Sequence, residues 1–272
     1  MEPPESTPSL GRPVVVLIQF LTVIVVAELL LVFANLTQIA LFAIAGFLVD
    51  TGLVVVLPLV ASYKVPRDPK LASFLGALVL APLLRVVSLA TPREPFSTIQ
   101  WLAILGVAVL LSAAAVMHAQ GLRPRDVFLG VGDRRFVSLN VSLAVLGVLL
   151  GYVEFQILHP TPWITAPGSE PLIPAVIVVF VATGLAEELV FRGILLRTGI
   201  RLLGPRAGLL YVTLVFAVLH IGLWSPVGLL FVFLTGLLFG MVVLATKSLW
   251  GAALAHAVAN VAVYLILPFG TF

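Results

Sequence analysis

Eight consecutive residues, Ala186-Glu187-Glu188-Leu189-Val190-Phe191-Arg192-Gly193, set two carboxylates and a guanidinium inside an apolar run. Ile173 to Leu185 precede them almost without polarity, and Ile194, Leu195 and Leu196 follow. Groups of this kind transfer protons and hold charge. In hydrocarbon each costs roughly 2.5–3.5 kcal/mol near a helix centre, a cost offset by pairing or by function. Glu188 and Arg192 stand i,i+4 with the acid first, the favoured order for an intrahelical ion pair. Glu187 points about 100° away on a regular helix, so that pair leaves it over.

Further polar groups stand in other apolar runs. Phe216-x-x-x-His220 and His256-x-x-x-Asn260 each put two side chains on one helix face. At about 1.5 Å of rise per residue, Glu187 and Asn260 lie roughly 16 Å from the basic side of the membrane, His220 roughly 20 Å and His256 roughly 10 Å. A lone helical histidine is usually a packed core group. Two histidines, an asparagine and a surplus carboxylate in one layer point to a polar functional site. Asp50 and Arg85, on neighbouring antiparallel helices at roughly 16 and 21 Å by the same rise, are expected to form a structural ion pair. Glu28 and Glu154 fall toward the far third and receive no role.

The elements that must position these groups are membrane helices. Of 272 residues 61% are hydrophobic and 10% charged, against about 25% charged in soluble domains. The absence of cysteine removes disulfides and thiolate metal sites. The net charge of +3 sits in short loops and does not signal nucleic acid. Apolar spans fall at roughly 14–33, 37–61, 71–90, 98–118, 137–158, 172–198, 207–222, 227–245 and 249–268, each near the ~20 residues that cross a bilayer. The expectation is an all-α polytopic transmembrane bundle of about nine spans in the cell membrane. Loops on one side carry Lys64, Arg67, Arg123, Arg125, Arg197, Arg201 and Lys247, whereas the other side carries only Arg93. By the positive-inside rule the N-terminus is cytoplasmic and the C-terminus outside. Residues 1–12, polar and Pro-rich, are expected to be disordered, and the first span to remain as a helix rather than be cleaved as a signal peptide. Gly121 to Phe136 mixes arginines with apolar residues and reads equally as a short amphipathic surface helix or as a basic loop.

Glu187-Glu188-x-x-x-Arg192, Phe216-x-x-x-His220 and His256-x-x-x-Asn260 together resemble the three-motif signature of the CPBP intramembrane proteases, which include the type II CAAX prenyl endopeptidases and the Abi proteins. Each element alone is weak; all three, in order and on separate helices of a polytopic chain, are specific. The resemblance covers about residues 120–272 and leaves 1–119 as a four-helix membrane region outside it. It implies hydrolysis of a peptide bond in a membrane-associated, prenylated or leader peptide at the bilayer, without nucleic acid. Glu187 and His220 would activate water, His256 and Asn260 would stabilise the oxyanion, and Glu188, Arg192 and Phe216 would support the site. The family has been described both as metal-dependent and as glutamate-type. A divalent metal such as Zn, if present, would use Glu187, His220 and His256; the HExxH pair of the zincins is absent, and the expectation is a reaction that needs no cofactor. No GxSxG elbow is present, and Asp50 is the single Asp within a span, so serine and aspartyl chemistries do not fit. Two other readings stay open: a transporter or proton relay, although no internal repeat is visible, and a catalytically silent family member acting as a membrane scaffold.

Overall fold

In hydrocarbon a backbone must satisfy its own hydrogen bonds, which confines apolar spans of this length to helices. The computed structural model of the chain, which describes residues 11–166 and 171–270, bears this out, with no strand among the described residues. Among the described residues nine helices follow in order: α1 (Gly11–Thr37), α2 (Ala40–Lys64), α3 (Pro69–Ala90), α4 (Thr98–Ala119), α5 (Val137–Leu158), α6 (Leu172–Leu203), α7 (Pro205–Val218), α8 (Pro226–Thr246) and α9 (Trp250–Phe269). Eight are long and apolar enough to cross a membrane, and α7 is the short one. The chain is a multi-pass membrane protein. Of the stretch expected to be disordered, residues 1–10 lie outside the described residues.

Local chemistry explains the helix starts. Asp68 accepts from the Leu71 N–H, with Pro69 in the first turn of α3. Ser97 and Gln100 form a reciprocal capping box at α4, and Ser225 accepts from the Gly228 N–H ahead of Pro226 at α8. These are the residue types that satisfy the free N–H groups of a first turn.

Small residues set the packing around α9. A Cβ on Gly151 of α5 would lie 2.7 Å from the Ala259 carbonyl oxygen, and one on Gly184 of α6 would lie 2.6 Å from that of Ala253. Such seams let membrane helices approach backbone to backbone, and they wedge α9 between α5 and α6. Outward-facing apolar side chains such as Ile173 (75% exposed) and Val145 (74%) suit contact with lipid.

One hydrophobic core crosses the whole bundle. It includes Leu17 and Ile24 of α1, Leu57 of α2 and Phe74 of α3 together with Phe191, Phe216 and Leu249. The Tyr211 hydroxyl donates to the Leu17 carbonyl at 2.9 Å, a direct bond between α7 and α1.

The 121–136 segment is not an amphipathic surface helix. It forms two short 3₁₀ turns, Pro124–Val127 and Arg134–Phe136, and its backbone bonds across to the α8–α9 turn. Phe128 O accepts from Leu249 N at 2.8 Å, and Gly130 O from Ser248 Oγ at 3.0 Å. Arg197 of α6 fastens the near end, donating to the Asp126 carbonyl at 3.0 Å and pairing with its carboxylate at 3.4 Å. Carbonyls committed to the neighbouring turn are not free to close a local helix.

Candidate active site

The site begins in α6, which is not a regular helix. π-helical turns at Phe180–Leu185 and Leu189–Leu195 flank a single α-turn at Ala186–Glu188. Such wide turns recur at functional sites and re-aim the side chains between them. The Glu188–Arg192 pair survives this geometry: Arg192 Nη1 donates to Glu188 Oε1 at 3.0 Å, and the two side chains are 0% and 3% exposed. The guanidinium also lies over the Phe216 ring, 4.1 Å from its centroid, a favourable cation–π placement. A Cβ on Gly236 of α8 would sit 2.9 Å from Arg192 Nη2, so a larger residue there would have to displace the guanidinium.

Glu188 has a second partner. His256 Nδ1 lies 2.9 Å from the same Oε1 atom. A carboxylate only accepts, so Nδ1 carries the proton and the ring is turned to set Nε2 4.0 Å from Glu187 Oε2. The two adjacent acids therefore differ: Glu188 is enclosed by Arg192 and His256, whereas the Glu187 side chain is 23% exposed and free of a short contact. His220 follows the last turn of α7, and its Nδ1 lies 2.8 Å from the Phe216 carbonyl. The carbonyl also only accepts, so Nδ1 donates and Nε2 of the neutral ring is left as an acceptor. Phe216 packs against His220 with ring centroids 4.6 Å apart.

Glu187, His220, His256, Asn260 and Phe216 wall one cavity of about 180 Å³. Glu188 and Arg192 are absent from that wall. Trp163, Thr183, Thr235, Tyr264 and Glu154 add to its polar and aromatic lining. Glu187 and Thr183 also border a smaller adjoining cavity of about 60 Å³ among Leu84, Leu105 and Ala182.

The expected Asp50–Arg85 pair does not form. Arg85 instead holds Glu28 of α1 in a two-pronged pair, Nε to Oε1 at 2.7 Å and Nη2 to Oε2 at 2.8 Å. Its Nη2 also donates to the Leu219 carbonyl at 2.6 Å, immediately before His220. Asp50 is fully buried, and neither of its carboxylate oxygens has a hydrogen-bond partner among the described residues. Depth along the membrane normal compares heights but not azimuths, and α1 brings Glu28 round to the face of α3 that carries Arg85.

No group of three or more His, Asp or Glu side chains comes together as a ligand set among the described residues.

Residues 169–262 match the family model described as type II CAAX prenyl endopeptidase Rce1-like. Over that stretch the chain is similar to this family. The Rce1-like segment holds every residue of the three motifs and supports the resemblance to the CAAX-type membrane proteases. No match was found among curated proteins or solved structures. Glu28, Arg85, Glu154 and Tyr264 lie outside the Rce1-like segment, and spacing alone singled out none of them. Glu154 did leave a trace: Gly147, Gly151 and Glu154 follow i, i+4, i+7 and so share a helix face, the face by which α5 packs on α9.

Proposed function

We propose that the protein is an intramembrane endopeptidase in which Glu187 and His220 activate a water for attack on a peptide carbonyl. Glu187 accepts the proton as the oxygen bonds to carbon, and that proton passes to the leaving amine as the C–N bond breaks. The oxyanion between these steps is held by the Asn260 side-chain amide and by Nε2–H of His256 in its protonated form, with Nδ1–H kept on Glu188. Donors preset toward a developing oxyanion in a dry site contribute several kcal/mol. Glu188 and Arg192 act behind the cavity wall, fixing His256, and Phe216, on the wall itself, packs between Arg192 and His220 at the α6–α7 contact. The substrate is a membrane-associated peptide, prenylated or a leader.

The observation that carries this reading is the common cavity of Glu187, His220, His256 and Asn260 in an otherwise apolar bundle. The test is comparative proteomics of membranes carrying wild-type protein or Glu187→Ala. The expected result is an uncleaved precursor that accumulates in the variant; equal processing by both sinks the proposal. The same purified protein is expected to cleave that precursor in the presence of a strong chelator and to carry no stoichiometric metal. Chelator-sensitive cleavage restored by Zn²⁺ would reverse the metal-free assignment.

A further inference from the structure

Glu154 stands on α5 and lines the same cavity as Glu187, His220 and His256. It accepts no hydrogen bond and joins no ion pair with a described residue. The remaining acids of the membrane core are differently placed: Glu28 is held by Arg85, Glu188 by Arg192 and His256, and Asp50 lies sealed away from the cavity. A carboxylate left without a partner on the wall of a cavity is expensive in a membrane interior.

Two aromatic rings share its end of the cavity. Trp163, from the segment after α5, stacks on Tyr264 of α9 with centroids 3.9 Å apart and planes 4° apart, and the backbone N–H of Trp163 donates to the Tyr264 carbonyl at 3.1 Å. Both residues line the cavity, and Glu154 lies within electrostatic reach of Tyr264, His256 and Glu187. A carboxylate beside fixed aromatic surface is a receptor for an organic cation, because charge and ring quadrupole attract the same ligand.

We infer that Glu154, with Trp163 and Tyr264, forms a subsite that selects a cationic group of the substrate peptide, a Lys or Arg side chain or a terminal amine. From His256 to Tyr264 α9 advances roughly 12 Å, and an extended peptide covers about 3.3 Å per residue. The cation therefore lies roughly two to four residues from the scissile bond. This inference rests on the peptidase reading and narrows its substrate class.

The test uses the full-length protein in detergent with an N-acetylated random peptide library, the same library with free amino termini, and N-acetyl-lysine methylamide as a binding probe. Wild type is expected to favour Lys or Arg at one position of the acetylated library, or a terminal amine at that position in the free one. The ratio of cationic to neutral peptides cleaved is expected to fall about tenfold in Glu154→Gln, and Glu154→Lys is expected to favour Asp or Glu there. Binding of the probe, read by saturation-transfer NMR, is expected in wild type and in Glu187→Ala and to be lost in Glu154→Gln. Cleavage with the same side-chain preference in wild type and Glu154→Gln overturns the subsite and leaves the peptidase reading intact. An equal loss for cationic and neutral peptides in Glu154→Gln overturns it too, because the residue would then serve the chemistry rather than selection. Glu154-dependent probe binding without cleavage supports the subsite and overturns the peptidase reading. Absence of both probe binding and charge preference overturns the inference.

Discussion

Two neighbouring carboxylates in one helix are assigned opposite duties by their contacts. Glu188 accepts from Arg192 and His256 at 3.0 and 2.9 Å, while Glu187 faces the cavity. Removing one partner of a buried ion pair costs about 3–5 kcal/mol, because the other charge is left uncompensated. Glu188→Ala is therefore expected to lower thermal stability in detergent by about that amount and to abolish cleavage. Glu187→Gln is expected to abolish cleavage with stability changed by less than about 1 kcal/mol, since it removes no short contact. Parallel melting and cleavage assays check the contrast; equal destabilisation would reverse the division of duties. The Glu188–Arg192 half of this was legible in the sequence, because i,i+4 spacing determines who can touch whom within one helix. The partner of Arg85 was not: a choice between Asp50 and Glu28 depends on how three helices turn toward one another, which no spacing within a single helix encodes.

Among the elements, α3 touches the site through Arg85 and Leu84. Arg85 bridges Glu28 of α1 and the carbonyl just ahead of His220. Arg85→Ala is expected to cut kcat by at least about tenfold while leaving KM within about twofold, with partial rescue by Arg85→Lys, which keeps the charge but loses the two-pronged geometry. Steady-state kinetics on a defined substrate test it, and an unchanged kcat would remove Arg85 from the positioning of His220. The 121–136 segment offers a pH test. The Arg123 backbone N–H, and then the nearby Arg197, hold the Asp126 carboxyl below the usual carboxylate range. A group depressed on folding contributes its stabilisation above its unfolded value of about 3.9 and loses it as pH falls through the folded value. Hydrogen-exchange protection in residues 123–129, relative to the intrinsic rate at each pH, is therefore expected to stay flat from about pH 8 to pH 5 and to fall only below about pH 4. The arginines of this loop were legible in sequence, but its docking was not, because that is written in backbone carbonyls rather than in side chains. The wide turns of α6 were equally silent, since a π-turn keeps the composition of an α-helix.

For the molecule as a whole, the four helices of residues 1–119 share a hydrophobic core with the helices that carry the site. Leu17, Ile24, Leu57 and Phe74 share one core with Phe191 and Phe216, and Tyr211 bonds to Leu17. A chain of residues 120–272 alone is expected to fail to yield a monodisperse, active protein in detergent, whereas co-expression with residues 1–119 restores both. Gel filtration and cleavage assays decide it, and an active isolated 120–272 fragment would show the N-terminal helices to be dispensable. Helix number and order were plain from the apolar spans; the sharing of one core was not, because lipid-facing and partner-facing apolar residues look alike in sequence. Hydrolysis also sets a demand on supply, since every turnover removes one water molecule from a compartment walled off by lipid. With substrate in the larger cavity, Glu187 still borders the smaller one on its other flank, whose space suffices for more than one water. In the proposed peptidase the Glu187 carboxyl would stand at a partition, between the cavity that takes the peptide and a smaller one from which a water could reach it.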